Sequence, residues 1–185
     1  MLTKHPETGG FYVAALLGLK PGEPALVSRD ELAGGFRPLD VERRGFYLAD
    51  DRMAIDPGDP RFVDPAGEPL FSAGGEPGPA LQRMMAVLQK LRNGLRQTDD
   101  FITAMMALKL VEPIDIDLRF DDGEKLRLGG LYTISLDALA ELADDRVLAL
   151  FRAGHLQLAY TMIGSVRQFS RLAQRRNAGL SAFAR

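Results

Sequence analysis

The spacing of apolar residues changes several times along the chain, and each change marks a different kind of element. Between residues 10 and 77, short apolar runs at 11–19, 25–28, 46–49, 53–55 and 69–71 alternate with stretches rich in glycine and proline. That pattern predicts short strands joined by turns, because proline removes a ladder donor and glycine admits positive φ. From Pro79 the period lengthens. Leu81, Met84, Met85, Leu88, Leu91 and Leu95 recur at helical spacing, with Gln82, Arg83, Gln89, Lys90 and Arg92 between them. Pro79 suits a first helical turn, where its missing N–H has no partner to lose. Thr98, followed by Asp99 and Asp100, has the form of a second N-cap ahead of Phe101, Ile102, Met105, Met106 and Leu108. Residues 78–110 are therefore expected to form a helical hairpin, ended by Pro113.

The period then drops to two. Ile114, Ile116, Leu118 and Phe120 alternate with Asp115, Asp117 and Arg119, as in a strand with one buried face. Asp121-Asp122-Gly123-Glu124 supplies a turn, and Leu126, Leu128 and residues 131–134 return, so residues 112–134 form a β-hairpin. Ser135 is placed to cap a short helix bearing Leu136, Leu139 and Leu142, and Asp144 or Asp145 to cap another that closes at Gly154. Ala159, Met162, Ile163, Val166, Phe169 and Leu172 form the stripe of a last helix over about residues 156–177, roughly 30 Å long at helical rise. The fold class expected is α+β: a small, strand-rich, antiparallel or mixed N-terminal half with a β-hairpin, packed against a helical hairpin and a long C-terminal helix. A chain of 185 residues suits a single domain over 1–185, divided into 10–77, 78–110, 112–134, 135–177 and a tail at 178–185.

Composition narrows the chemistry. The chain has no cysteine, which removes disulfides, thiolate metal sites and a cysteine nucleophile. The N-terminus lacks the basic-then-apolar layout of a signal peptide, and no apolar run approaches the roughly 20 residues of a membrane span, so a cytoplasmic protein without a membrane span is expected. Only His5 and His155 could serve as imidazole ligands or bases, and their spacing matches no local metal motif. Asp50, Asp51, Asp56, Asp59 and Asp64 do not follow a calcium-loop spacing. Ser165 lacks the glycine-flanked elbow of a serine nucleophile, and neither Gly9-Gly10 nor Gly74-Gly75 stands in a phosphate-loop context. No catalytic residue, metal or cofactor is assigned.

Charge is distributed less evenly than the net value of −2 suggests. Residues 146–185 hold seven arginines with no lysine and no acid, while the other 145 residues carry 16 basic and 25 acidic side chains. The basic segment is expected first to pair with the acidic remainder of its own fold. Arg167, Arg171 and Arg175, four residues apart, would line one helix face, with nucleic-acid binding as the weaker alternative because no aromatic ladder accompanies them. His155 and Tyr160, just past the Gly154 corner, are candidates for a polar contact point; a histidine there also serves to cap the preceding helix.

Several segments taken together carry a family likeness: the strand near residues 11–18, Arg43-Arg44-Gly45-Phe46, Ile55-Asp56, Gly67-Glu68-Pro69-Leu70-Phe71, Gly130-Leu131-Tyr132-Thr133-Ile134, and Gly154-His155-Leu156-Gln157-Leu158-Ala159-Tyr160 with Ser165. Over residues 10–177 the chain resembles the bacterial SapC-like family. It departs from the family pattern where Gly45 stands in place of a proline before Phe46, and where Ser135 follows the Tyr-Thr-Ile strand in place of an acid. The resemblance implies an accessory or binding protein, with surface-layer, TonB-dependent receptor, and oxygenase or halogenase systems as its settings. A protein partner follows from that, with homo-oligomerisation left open. The contact residues considered are Arg43, Arg44, Phe46, Asp56, Tyr132, His155, Tyr160, Arg167, Arg171 and Arg175. A small-ligand binder or enzyme with a polar pocket near His155 is the alternative.

Overall fold

A computed structural model describes residues 1–16, 18–20, 38–49, 52–62 and 67–183, with side chains as far as 178. In chain order the elements are β1 (Leu2–Lys4), β2 (Phe11–Val13), α1 (Leu39–Glu42), β3 (Phe46–Ala49), β4 (Arg52–Ile55), a 3-10 turn (Pro60–Phe62), α2 (Pro79–Ala107), β5 (Val111–Arg119), β6 (Lys125–Ile134), α3 (Leu136–Ala140), α4 (Asp144–Arg152), α5 (His155–Ser165) and α6 (Gln168–Phe183). The protein is α+β. Its chain forms two compact units, residues 1–28 with 98–185, and residues 29–97.

The first unit is built on an antiparallel sheet of order β2-β1-β6-β5. The alternation at 112–134 forms the expected hairpin, with a bulge between Ile114 and Ile116. β1 holds a central position with only three residues, too few for its alternation to register in the sequence. One hydrophobic cluster gathers Leu2, Phe101, Met105, Leu110, Ile134, Leu139, Leu150, Ala159 and Met162. A second gathers Leu19, Phe120, Phe169 and Leu172 with side chains of both hairpin strands. Phe101, Leu2, Met105, Leu110 and Ile134 are almost wholly buried, and truncating a side chain of this kind costs about 2–5 kcal/mol. In the second unit β3 and β4 form a two-stranded antiparallel sheet, and Phe46, Leu81 and Leu88 make a smaller cluster with Met53, Phe62, Leu70 and Met84.

The helices depart from expectation in four places. Residues 79–107 form one 29-residue helix, and not a hairpin of two. Thr98-Asp99-Asp100 contains no proline or glycine to force a stop, and a cap residue in mid-helix costs only a fraction of a kcal/mol per position. That cost is offset by burial of Leu81 and Leu88 toward one end and Phe101 and Met105 toward the other. The helix ends well before Pro113, which lies inside β5 opposite Tyr132; an edge strand tolerates proline because one row of its backbone groups points away from the sheet. The stop is made instead by Lys109 at φ 57°. Leu110 N–H donates to Met105 O at 2.9 Å and Lys109 N–H to Met106 O at 3.1 Å, the paired bonds of a Schellman closure, and Met105 and Leu110 are both fully buried.

The long C-terminal helix is interrupted at Val166 and Arg167, which separate α5 from α6. The break follows Gly164-Ser165. The Ser165 hydroxyl donates to Met162 O at 2.7 Å, and the N–H groups of Val166, Arg167 and Phe169 reach back three residues where a regular helix would reach four. Ser135 caps α3 as its position implies, accepting from Ala138 N–H at 3.4 Å. At α4 the cap position is Ala143, with Asp144 and Asp145 in the first turn beside the positive end of the helix. Gly154 ends that helix at φ 75°. The run at 11–19 narrows to the three residues of β2, residues 69–71 contribute only a bridge from Phe71 to Pro77, and the run at 25–28 lies outside the described residues.

A non-glycine residue in the left-handed region costs about 1–2 kcal/mol, part of which glycine regains in unfolded-chain entropy. Lys109→Gly is therefore expected to stabilise the protein by about 0.5 kcal/mol in urea unfolding, and a neutral or destabilising result would show that the αL strain at this helix end is relieved elsewhere.

Candidate functional site

The arginine pair at 43–44 opens a tightly built corner of the second unit. α1 leads into a turn in which Phe46 N–H donates to Arg43 O at 2.7 Å and Asp56 N–H donates to Gly45 O at 2.8 Å, starting the β3–β4 hairpin. Gly45 has φ +84°, and a Cβ there would meet Asp59 Oδ2 at 2.9 Å, Arg61 Nη2 at 3.0 Å and Phe62 Cε2 at 3.0 Å. A proline cannot adopt that φ. The departure from an Arg-Arg-Pro-Phe pattern thus goes with a local backbone that only glycine enters freely.

Around this turn the side chains have separate partners. Arg43 Nε donates to Asp40 Oδ1 at 2.8 Å and Nη1 to Phe46 O at 3.2 Å, and its guanidinium lies 5.2 Å from the Tyr47 ring centre. Arg44 is exposed. Asp59 takes the guanidinium of Arg61 on both carboxylate oxygens, at 3.0 and 3.1 Å. Hydrogen bonds from the side chain and then the backbone of Arg61, with the charges of Arg61 and Arg44 adding to them, hold the Asp59 carboxyl below its ordinary range. Asp56 is exposed and accepts from Gly58 N–H at 2.9 Å, a turn-forming role. Phe46 is 7% exposed and meets Phe62 edge to face at 5.0 Å. Phe46, Phe62, Leu70 and Met84 line a cleft of about 520 Å³, with Arg61 and Arg83 also on its wall. Arg83 pairs with Glu68 at 2.5 Å, both well exposed.

In the first unit Tyr132 and His155 have different ring neighbours. Tyr132 meets Phe11 at 4.9 Å edge to face, and the Lys4 ammonium lies 5.0 and 5.3 Å from the two ring centres, so these side chains satisfy one another. His155 opens α5 with its ring 5.9 Å from that of Phe101, and its Nδ1 is buried without a hydrogen-bond partner. Tyr160 is 54% exposed. A smaller cavity of about 190 Å³ involves Met1, Leu16, Ser165, Gln168 and Phe169. His155 lines neither cavity. Arg167 lies in the break between helices, and Arg171 and Arg175 are exposed on α6. Asp50, Asp51 and Asp64 lie outside the described residues, and among those described no three histidine or acidic side chains gather as a metal site.

The residue that pattern reading passed over is Arg176. It is 9% exposed, its Nη2 lies 2.6 Å from Glu124 Oε2, its Nη1 3.6 Å from Asp122 Oδ2, and its guanidinium 3.9 Å from the centre of the Phe120 ring. Lys20 also pairs with Glu124, and Asn177 accepts from Asp121 N–H at 3.3 Å. The hydrogen bond from Lys20, then that from Arg176, hold the Glu124 carboxyl below its ordinary range. The acid-free segment thus meets acids of its own fold at the tip of the β5–β6 hairpin. The signal available was the acidic turn at 121–124 set against the terminal arginines, but four nearby arginines gave no means of choosing one.

Comparison with known proteins agrees with the landmarks. The SapC family model matches residues 1–172. The chain belongs to the SapC family. No curated protein and no solved structure matches it. The SapC match takes in both compact units and ends within α6, short of Arg176. Among the described residues, no helix is long and apolar enough to cross a membrane.

Because the folded-state pKa of Glu124 is depressed, its pairing contributes stability above the unfolded pKa of about 4.3, and that contribution is lost as pH falls through the folded value. Thermal unfolding followed from about pH 6 down to pH 3 should show the wild type losing stability more steeply than Glu124→Gln; parallel curves would remove the ion pair from the account.

Proposed function

We propose that this SapC-family protein is a non-catalytic accessory module that binds another protein through its β3–β4 hairpin. The observation that supports the reading is the exposure of Tyr47, Leu48 and Ile55, at 45, 40 and 45%, on a two-stranded sheet. An isolated two-stranded sheet is marginally stable in water, and apolar side chains on it gain from being covered. Arg43 beside Tyr47 places together two of the residue types enriched at the energetic centres of protein interfaces. The reading draws the partner from surface-layer, TonB-receptor, or oxygenase and halogenase systems, the settings that likeness to SapC-like proteins implies. The exposed Arg167, Arg171 and Arg175 are assigned to a solvated face.

A second reading is favoured by the 520 Å³ cleft, whose volume falls within the usual range for small-ligand sites. Its apolar wall of Phe46, Phe62 and Met84 suits the chain of an apolar monocarboxylate, whose head group would exchange with Glu68 at the exposed Arg83. Octanoate should then raise Tm saturably in the wild type and leave Met84→Trp, with the cleft filled, unmoved; no shift in the wild type would reject it.

For the principal reading, a protein retained from native lysate by the wild type should be retained at least about tenfold less by Tyr47→Ala with Leu48→Asp, at unchanged circular dichroism. Equal retention by both, or none by either, would exclude the hairpin as the contact surface.

A further inference from the structure

The two outer strands of the four-stranded sheet are protected very differently. β5 carries Pro113, a bulge between Ile114 and Ile116, and alternating charges at Glu112, Asp115, Asp117 and Arg119, the usual devices against edge-to-edge pairing. β2 has none of these and is guarded only by its length of three residues. From Thr8 to Leu19 there is no charged residue and no proline, and Tyr12 and Val13 are 45 and 43% exposed. Among the described residues no strand pairs with its outer side.

The hydrogen bonds of β2 determine which backbone groups that outer side offers. Met1 and Ala14 exchange both bonds, at 3.2 and 2.9 Å, and His5 N–H donates to Gly10 O at 2.8 Å. In an antiparallel ladder the bonded pairs recur every second residue, so Thr3 and Tyr12 form the bonded pair between them. The N–H and C=O groups of Phe11 and Val13 therefore point away from β1.

We propose that the β2 edge pairs with β2 of a second copy of this chain, antiparallel about a two-fold axis at Tyr12, joining two four-stranded sheets into one of eight. In that register Phe11 of each copy faces Val13 of the other. Both residues have outward backbone groups, so each pair exchanges two hydrogen bonds, four in all. Tyr12 faces Tyr12 as the close, non-hydrogen-bonded pair between them, where side-chain contact is greatest. A two-fold axis at Tyr12 sets that position against its own copy and positions 11 and 13 against each other, so a charge at position 12 would meet a like charge. The uncharged stretch from Thr8 to Leu19 meets that condition, and β5, with its proline and charges, does not. The proposal concerns the first unit only and is independent of the β3–β4 contact surface.

The lack of cysteine makes a direct test available. Non-hydrogen-bonded antiparallel partners have Cα atoms about 4.5 Å apart, within disulfide reach, so Tyr12→Cys should crosslink to a covalent dimer under mild oxidation. Tyr160→Cys, a control at a somewhat more exposed position, should remain largely uncrosslinked. In sedimentation equilibrium up to about 100 µM, the wild type should have roughly twice the 20.3 kDa chain mass, and Tyr12→Glu, with carboxylates opposed across the axis, should sediment as a folded monomer. A wild type that stays monomeric over that range would overturn the proposal. So would a folded Tyr12→Glu that remains dimeric, or a Tyr12→Cys that crosslinks no faster than the control.

Discussion

At the end of α2, Lys109 adopts a left-handed conformation so that Leu110 N–H can reach Met105 O, and three neighbouring elements depend on that closure. It buries Met105 and Leu110 side by side. It turns the chain into β5 one residue later. It also leaves Leu110 O free to accept from Ser135 N–H at 2.8 Å, which ties the helix end to the point where β6 passes into α3. The αL strain at Lys109 is of the same order as the burial of one large side chain, and several are buried here, so the closure holds with a lysine where glycine is usual.

A second closure, electrostatic in character, lies at the far end of the β5–β6 hairpin. Arg176 lies almost out of contact with water between the Phe120 ring and the carboxylates of Asp122 and Glu124. A guanidinium suits the place because its flat face stacks on the ring while its edge donates to oxygen. The acid-free stretch is thus put to structural use at Arg176, while Arg167, Arg171 and Arg175 are exposed. In the second unit the corresponding constraint is steric. Gly45 lets the chain turn beneath Asp59, Arg61 and Phe62, and this seats Phe46 in the small core while Tyr47 and Leu48 remain exposed.

Most of the secondary structure could be read from local pattern. The alternation at 114–120, the turn at 121–124, the Ser135 cap and the Gly154 corner are each determined by residues within a few positions of one another. The errors share one cause. Thr98-Asp99-Asp100 has the local form of a helix start, and the packing of Phe101 and Met105 on one side and Leu81 and Leu88 on the other overrides it. Pro113 has the form of a stop, yet it is harmless on an edge strand. Of the candidate contact residues, Phe46 was legible as a family landmark but not as a cleft wall, and Tyr132 and His155 proved to meet Phe11 and Phe101.

The sequence by itself determined the α+β class, the hairpin over residues 112–134, the absence of cysteine chemistry and the likeness to SapC proteins, because each depends on composition or on short-range periodicity. Tertiary structure alone decided that β1 is central, that residues 79–107 are one helix, that Arg176 and not its neighbours is buried, and that among the described residues no strand pairs with the outer side of β2. Those outcomes depend on contacts between residues up to about 130 positions apart, such as Thr3 with Leu131, whose energies no local window contains.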